Sequence, residues 1–434
     1  MSLGGLFRRV GYKIKDSILN PPESRIHSQW NEIKKVLSDY GSGWPWVEQA
    51  LTNCLKRASD KCSYYKPYAG KPLSEYPVTN KIGFIDNFDN VRNPDYPDSS
   101  VRPISTSGST GTPFRVVQNF AKRNRVLAEL QYFGELAGYK SHEKGIFFRA
   151  CHPAPLNRMF WSNVWTYDIA NMSDTKMENL YKLQARGNLQ MTLAYASTYD
   201  ILTSYWLKKG YVGNPNMIAC ISGSEILGDD VRRRCQEFWP KCKVYSRYSN
   251  MENGILAQER NVPNNFFINW ASYYFEILKL DSDEPAGENE LGRIVVTDMF
   301  NKAFPMIRYD TGDLGKMSFS EGEWPILSSV EGRRIDIIYD DKGSIVSPHS
   351  LGTGLWGLEA IRQWQFHQDG EWEYRITYVT EEDENKALAS LSGRLDILHR
   401  IFGPNARFSF VRVNDIPQTA SYKHKMVVQN WKRS

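Results

Sequence analysis

A run of hydroxyl-bearing residues and glycines in the first third of the chain has the chemistry of an anion-binding loop. It consists of Ser107, Gly108, Ser109, Thr110 and Gly111, between flanks with strand character. Glycine lets backbone N–H groups approach an anion closely, and serine and threonine add short hydrogen-bond donors. No Gly-Lys-Ser/Thr sequence follows, so the loop is not that of the nucleoside triphosphatases. Alone, a loop of this composition is more often a plain surface turn than a phosphate site.

Later segments add carboxylates, a tyrosine and lysines that could act together. In chain order they are Ser222-Gly223-Ser224-Glu225, Tyr248-Ser249-Asn250-Met251-Glu252, Arg308-Tyr309-Asp310-Thr311-Gly312-Asp313, Gly332-Arg333 and Pro417-Gln418-Thr419-Ala420-Ser421-Tyr422-Lys423. Each has an ordinary interpretation, since glutamate is common in the first turn of a helix and a lysine in a basic tail is usually a solvated charge. Their order along the chain is far more specific than any one of them.

In this order the segments resemble the signature motifs of the adenylate-forming superfamily, which contains acyl-CoA synthetases, adenylation domains and luciferases. Residues 106–113 are similar to its phosphate loop, and residues 222–225 to part of its adenine pocket. The resemblance implies that Tyr248 stacks on adenine, with residues 249–251 beside it, and that Glu252 helps to hold magnesium. It also implies that Asp313 binds the ribose, because one carboxylate can accept both hydroxyl protons.

The same resemblance assigns a catalytic lysine and a hinge. Lys423 aligns with the lysine of the superfamily's Pro-x-Thr-x-x-Gly-Lys motif, with Lys425 as a rival candidate, and Arg333 lies in the start of the hinge motif. Three residues depart from the pattern: Met251 replaces a usual Thr or Ser, Ile335 the first hinge aspartate, and Tyr422 a glycine.

Two local features point to one branch of the superfamily. The absence of a lysine after Pro113 and the run Leu193-Ala194-Tyr195-Ala196-Ser197 look like the phenylacetate-CoA ligase family, closest to its capsular-polysaccharide CapK-type branch. The implied enzyme uses ATP and Mg²⁺ to activate a carboxylic acid as acyl-AMP, then passes the acyl group to an amine or sugar in surface-polysaccharide synthesis. Coenzyme A is the alternative acceptor, and a catalytically silent nucleotide- or acyl-binding protein is an alternative of another class.

The elements that must position these residues alternate between strands and helices. Apolar runs predict strands over residues 144–150, 217–222, 243–247 and 292–297, and helical patterns cover 174–186, 199–209 and 229–239. This order predicts an α/β fold whose large N-terminal domain, residues 1–331, has parallel and mixed sheets flanked by helices. A small mobile α+β domain follows over residues 332–434, with strands at 372–379 and 407–413 and one helix at 382–401.

Composition narrows the class of protein further. Hydrophobic residues make up 41% and charged residues 24%, as in ordinary globular proteins, and 434 residues exceed what one core usually supports. The 54 Lys and Arg against 49 Asp and Glu are too balanced for a nucleic-acid surface. Six scattered cysteines without a CxxC pair indicate neither a zinc site nor a disulfide framework, which favours a cytoplasmic protein.

Residues 3–19 form a separate puzzle near the start of the sequence. Leu6, Phe7, Val10, Ile14 and Ile18 fall near helical spacing, and four basic residues lie among them. Such a helix could make a peripheral contact with an anionic membrane, which would place the protein at the inner membrane surface. We favour an ordinary amphipathic helix packed on the body, because two glycines weaken its start.

Overall fold

The computed structural model describes residues 2–106, 114–149, 156–169, 172–333, 338–343, 345–346, 351, 355, 358, 360–416 and 427–431. Within them the helices are α1 (Leu3–Leu19), α2 (Ile26–Leu37), α3 (Tyr40–Lys61), α4 (Lys81–Asp86), α5 (Phe88–Val91), α6 (Phe120–Leu136), α7 (Leu156–Ser162), α8 (Asp174–Ala185), α9 (Ala196–Lys208), α10 (Asp229–Phe238), α11 (Glu384–Ser392) and α12 (Leu395–Phe402). Short 3₁₀ turns lie at Pro22–Ser24, Lys66–Tyr68, Leu73–Glu75 and Asp98–Ser100.

The strands of the described residues form four sheets. They are β1 (Val101–Thr106), β2 (Phe114–Asn119), β3 (Lys144–Phe148), β4 (Val164–Tyr167), β5 (Leu189–Ala194), β6 (Ala219–Gly223), β7 (Lys243–Asn250), β8 (Gly254–Glu259), β9 (Phe266–Ile268), β10 (Tyr273–Leu278), β11 (Gly292–Asp298), β12 (Tyr309–Ser318), β13 (Ile326–Arg333), β14 (Ile338–Tyr339), β15 (Ile345–Val346), β16 (Gln363–Gln368), β17 (Glu373–Val379), β18 (Arg407–Arg412) and β19 (Val427–Gln429).

The main sheet joins a parallel half to an antiparallel half. Its order is β10-β11-β12-β13-β9-β8-β7-β6-β5-β3-β4. Strands β4, β3, β5, β6 and β7 run parallel, and every pairing from β7 through β8 to β10 is antiparallel. The sheet therefore changes character at the β7–β8 junction.

The parallel half is buried on both faces, as its sequence requires. Strand β6 reads Ala-Cys-Ile-Ser-Gly and is buried throughout, because helices must connect parallel neighbours and cover the sheet. Helices α8, α9 and α10 share one apolar core with β3, β5 and β6. Side-chain caps fix several helix starts: Ser173 accepts from the Lys176 N–H, and Asp39 accepts from the Ser42 N–H.

The chain after the main sheet builds a separate α+β unit. Its four-stranded sheet has the order β18-β17-β16-β19, with β17 parallel to β18 and connected to it through α11 and α12. This unit has its own apolar core. The α/β class is confirmed. The single helix expected over 382–401 is wrong, since it is two helices interrupted at Gly393 and Arg394.

Two smaller units complete the described part of the chain. The β1–β2 hairpin brackets the expected phosphate loop, whose residues 107–113 lie outside the described residues. Strands β14 and β15 pair just after the expected hinge, of which residues 334–337 are also outside them. No helix among the described residues is long and apolar enough to span a bilayer.

Candidate active site

The predicted site residues collect where the parallel half of the main sheet meets the antiparallel half. Strands β6 and β7 are parallel neighbours, with Ser222 opposite Ser246 and Gly223 opposite Arg247. Their carboxyl ends therefore lie at one edge of the sheet, which is the usual place for a ligand in an open α/β sheet. Residues 251–253 turn the chain from β7 back into β8 at this edge.

A tyrosine and an aspartate from distant segments meet at this edge. The Tyr248 hydroxyl, from β7, donates to Asp313 Oδ2 of β12 at 2.8 Å and lies 3.2 Å from Thr311 Oγ1. Burial and the adjacent Asp313 carboxylate raise the pKa of Tyr248 well above that of an ordinary tyrosine. Tyr248 therefore remains a protonated donor, and the bond fixes the orientation of the Asp313 carboxylate.

The Glu252 carboxylate lies in the β7–β8 turn and is almost fully buried. Its Oε1 accepts a hydrogen bond from the Tyr309 hydroxyl at 2.7 Å and lies 3.5 Å from Lys81 Nζ. The Gln118 side-chain amide of β2 donates to the Glu252 backbone carbonyl at 2.8 Å. Burial and Glu252 raise the pKa of Tyr309 well above its ordinary value, so Tyr309 keeps its proton. Contacts to both side chain and backbone thus hold Glu252 in place.

A buried polar network also holds the β7–β8 turn in place. Lys122 Nζ of α6 pairs with Asp298 Oδ2 at 2.9 Å and donates to the Tyr273 hydroxyl, also at 2.9 Å. The Tyr273 hydroxyl in turn donates to the Asn253 carbonyl at 2.8 Å. All of these side chains are fully buried. Ordered charges in the core therefore connect to the residue that follows Glu252.

The segment 222–225 contributes a backbone bend and a helix cap. Ser222 is fully buried at the end of β6, and its Oγ has no hydrogen-bond partner among the described residues. Ser224 has a left-handed backbone with φ of +69°, which turns the chain sharply away from the sheet. Glu225 accepts from the Ser197 N–H at 2.8 Å and its Oγ at 3.0 Å, and so caps the start of α9.

Three of the predicted site residues are thus within one connected set of contacts. Tyr248 binds Asp313, and Glu252 lies four residues after Tyr248 in the sequence. Glu252 in turn binds Tyr309, which begins the strand that contains Asp313. Ser249 and Asn250 end β7, the Asn250 side chain accepts from the Asn253 N–H at 2.8 Å, and Met251 is exposed. The Arg333 backbone pairs with Asp313, although its side chain is not described.

Two predicted elements, the phosphate loop over residues 107–111 and Lys423, lie outside the described residues. The flank of the loop is informative even so. Phe114 begins β2 directly after it, and its ring lies 6.1 Å from the ring of Tyr309. Tyr309 is therefore a neighbour of both Phe114 and the Glu252 carboxylate.

Sequence reasoning missed three residues that hold Glu252. Tyr309 lies within the segment Arg308–Asp313, but the sequence assigned it no role. A tyrosine next to an aspartate in the sequence does not reveal which distant residue its hydroxyl will bind. Lys81 begins α4 in a loop-rich region, and Gln118 is the penultimate residue of a short strand. Only the tertiary fold places these two residues against a turn more than 130 positions away.

The described residues offer little for a metal held by protein alone. No group of three or more His, Cys, Asp or Glu side chains converges anywhere in the described ranges. Magnesium bound with a nucleotide usually takes only one or two carboxylates, and phosphates and water supply its other ligands. As a single buried carboxylate, Glu252 fits that donor set.

No protein-family profile and no curated protein sequence matches the chain. Solved structures do match it. A 2-hydroxyisobutyryl-CoA ligase in the postadenylation state, in complex with R3-HIB-AMP, has a TM-score of 0.74 at 14% identity, covering 91% of each chain. The same ligase in the thioesterification state with 2-HIB-AMP and CoA has a TM-score of 0.55 at 14% identity, covering 94% of this chain and 91% of that one.

A third match extends the similarity to a second protein. ATP-bound MatB from Rhodopseudomonas palustris has a TM-score of 0.54 at 17% identity, covering 74% of this chain and 66% of that one. Identities this low establish the fold alone. The chain therefore has the fold of these solved structures, and that fold agrees with the predicted α/β class.

Proposed function

We propose that this protein is an ATP-dependent adenylate-forming ligase, which activates a carboxylic acid as acyl-AMP with release of pyrophosphate. The observation that carries the proposal is the set of contacts between Tyr248, Asp313, Tyr309 and Glu252 at the carboxyl edge of β7. Those residue types come from separate segments and meet in the fold of enzymes solved with ATP or an acyl adenylate. A purely structural cluster would not need to match the order of the superfamily's motifs.

The nucleoside would lie over β7, between residues 222–225 and β12. In this pose Asp313 accepts the ribose hydroxyls and the Tyr248 ring stacks on adenine. The Tyr248–Asp313 hydrogen bond orients the carboxylate before the nucleotide arrives, so less ordering is needed on binding. Asn250 and Met251 would lie at the rim of this site, and Arg333 lies opposite Asp313 in the β12–β13 pair.

The chemical step joins two anions, so charge neutralisation is its main requirement. The substrate carboxylate forms a bond to the α-phosphorus, and the bond from that phosphorus to the pyrophosphate oxygen breaks. Residues 107–111 would hold the β- and γ-phosphates through backbone N–H groups, and Glu252 would supply one ligand to magnesium. Magnesium, when bound, offsets the charge that develops on the leaving phosphates. Lys423 would bridge the substrate carboxylate and the α-phosphate.

The two-domain arrangement belongs to the same proposal. Residues 1–331 would bind ATP and acid, and residues 332–434 would deliver Lys423 and later rotate about the segment after Arg333. The higher TM-score for the postadenylation state, 0.74 against 0.55 for the thioesterification state of the same ligase, supports an adenylation-type arrangement here. Closing the two domains would also exclude water from a reactive anhydride.

The acceptor is the less constrained part of the proposal. The resemblance to the CapK-type branch supports an amine or sugar in capsule or surface-polysaccharide synthesis, in a cytoplasm that supplies ATP. Coenzyme A is supported by a different observation, since the matching 2-hydroxyisobutyryl-CoA ligase is a CoA ligase and one of its structures contains CoA. The two acceptors differ in their nucleophile, a thiol or an amine or hydroxyl, so they are separable by experiment.

The test is pyrophosphate release from ATP and Mg²⁺ across aromatic acids, fatty acids, amino acids and uronic-acid sugars. A unit charge about 4 Å from another contributes roughly 4 kcal/mol at an effective dielectric near 20, so Lys423→Ala should slow release about a thousandfold. Lys425→Ala is the matched control, and it should retain most of the activity. CoA that accelerates AMP release would select the thiol acceptor.

Two outcomes would count against parts of this proposal. ATP binding without pyrophosphate release from any acid would favour the silent binding protein, for which Met251, Ile335 and Tyr422 are the supporting departures. Equal loss of activity in Lys423→Ala and Lys425→Ala would remove the assigned role of Lys423.

A further inference from the structure

Helix α1 turns its apolar side away from the protein. Its large apolar residues recur at helical spacing and are 49% to 88% exposed: Leu3, Leu6, Phe7, Val10, Ile14 and Ile18. An amphipathic helix of a globular protein normally buries that stripe. The helix exists as expected, but the expectation that it packs on the body by its apolar face is not what the structure shows.

The opposite face of α1 is docked tightly, so the orientation is fixed. On that face a side chain at Gly5 would meet the Glu143 carboxylate at 2.5 Å. At the edge next to Phe7, a side chain at Gly11 would meet the Trp161 ring at 2.3 Å. The two glycines thus allow close contact with the body. Near the end of the helix, the buried Asp16 carboxylate accepts the Ile26 and His27 N–H groups at 3.0 Å each and caps α2.

Basic residues border the exposed stripe on both sides. Arg9 and Lys13 lie along one edge and Arg8 and Lys15 along the other, as their helical spacing dictates, while the one acid of the helix, Asp16, is buried. The exposed surface of α1 is therefore apolar in the middle and positively charged at its margins. Anionic headgroups around an apolar layer have the complementary arrangement.

A small cavity beside the Arg9 edge adds hydrogen-bond donors. Arg9, Lys13, His27, His142 and Trp30 line it together with Ser141, and Glu135 is the acid in its wall. Ser141 is 4% exposed, and its Oγ, like Trp30 Nε1, has no hydrogen-bond partner among the described residues. The donors and cations of this cavity suit a phosphate oxygen of a headgroup.

Aromatic side chains from α7 extend the apolar surface. The Phe7 ring stacks on Trp161 with centroids 6.4 Å apart, and Phe160, which is 42% exposed, lies 5.4 Å from the Arg8 guanidinium. Aromatic rings of this kind are enriched at the boundary between lipid and water.

We propose that this face of α1 and α7 lies on the surface of a bilayer that contains anionic lipids. A second copy of the chain is a poorer occupant, because a symmetric contact would bring Arg8, Arg9, Lys13 and Lys15 of both copies together. The site at the β7–β8 edge does not depend on this face, so the ligase could operate at the membrane without change in its own chemistry.

The test is co-sedimentation of the full chain with vesicles of phosphatidylcholine containing 30% phosphatidylglycerol, and with phosphatidylcholine alone. Binding should require the anionic lipid and weaken as salt rises. Phe7→Ser with Ile14→Ser should reduce partitioning about a hundredfold, since each large apolar side chain contributes about tenfold. Lys13→Gln with Lys15→Gln should reduce it about 25-fold, at roughly fivefold for each charge.

A matched control distinguishes binding through the α1 face from nonspecific hydrophobic binding. Val212→Ser with Val262→Ser removes two apolar side chains that are 73% and 55% exposed elsewhere, and it should leave partitioning unchanged. Circular dichroism and thermal unfolding should be the same for all variants, since none of the altered residues is buried. The proposal is overturned by no vesicle binding, by equal effects in both serine pairs, or by a dimer in light scattering that Phe7→Ser with Ile14→Ser dissociates.

Discussion

Replacing Lys122 by methionine should destabilise the protein strongly, because it leaves a carboxylate in the core without its cation. Lys122 and Asp298 are both fully buried, with Nζ and Oδ2 2.9 Å apart. Breaking a buried ion pair by removing one partner costs about 3–5 kcal/mol. Asp298 would keep the Phe300 and Asn301 N–H donors at 2.9 and 3.1 Å, so the lower end, about 3 kcal/mol, is expected.

The assay is urea unfolding followed by tryptophan fluorescence, with Lys279→Met as the matched control. Lys279 makes an ion pair of similar length, 2.7 Å to Glu284, but on the surface. Exposed pairs contribute about 0–1 kcal/mol, so the same substitution there should have little effect. The contrast between the two variants isolates burial from the chemistry of the change.

Activity provides a second readout of Lys122→Met. The network runs from Lys122 through Tyr273 to the Asn253 carbonyl, next to Glu252, so the variant should also lower the rate of pyrophosphate release under conditions where it is folded. Adding Asp298→Asn to Lys122→Met should recover part of the lost stability, because the unpaired charge is gone. Equal, small losses in Lys122→Met and Lys279→Met would refute the reasoning.

Three further results are expected. Tyr248→Phe should raise the KM for ATP in pyrophosphate release about tenfold through the lost hydrogen bond to Asp313, whereas Tyr211→Phe, whose hydroxyl donates to Glu178 at 2.8 Å, should not. Gly254→Ala should lower the free energy of unfolding by about 2 kcal/mol, because φ is +136° and the new Cβ would lie 2.6 Å from Glu129 Oε2. Gly70→Ala, where φ is +77° and the space is open, should lower the free energy of unfolding less in the same urea titration. The free energy of unfolding should fall as pH rises above 10, by about 1.4 kcal/mol per pH unit for each buried tyrosine of raised pKa. The reason is that the folded state keeps protons that the unfolded chain releases. Urea midpoints that stay constant from pH 9 to 11 would contradict this. These tyrosines include Tyr65, Tyr199, Tyr248, Tyr273 and Tyr309.

The parallel half of the fold was predictable because its strands bury both faces. The apolar runs predicted at 217–222 and 243–247 are observed at Ala219–Gly223 and Lys243–Asn250. The helix before the first strand and the helix between the two agree with the prediction to within a few residues. The helix expected over 382–401 failed for a local reason. Its apolar periodicity continues across Gly393, but the backbone does not, so the pattern concealed two short helices.

The candidate site was predictable only in its parts. Tyr248, Glu252 and Asp313 could be chosen by motif, but nothing local shows that Tyr248 would bind Asp313 or that Lys81 would approach Glu252. Such contacts depend on the sheet order, which places β12 and β7 in the same sheet although they are far apart in sequence. Helix α1 shows the converse, since its amphipathic pattern was legible but the side that faces the body was not.

The junction between the parallel and antiparallel halves of the main sheet should affect how the protein responds to a ligand. One side of the candidate site, through Tyr248, belongs to the parallel strands, and the other, through Asp313, belongs to the antiparallel strands. A molecule held by both residues would link the opening of one half to the opening of the other, by an amount set by its concentration relative to its Kd. Amide hydrogen exchange in β5 and in β11 should then slow together as ATP is added, although neither strand contains a residue of the proposed nucleotide site.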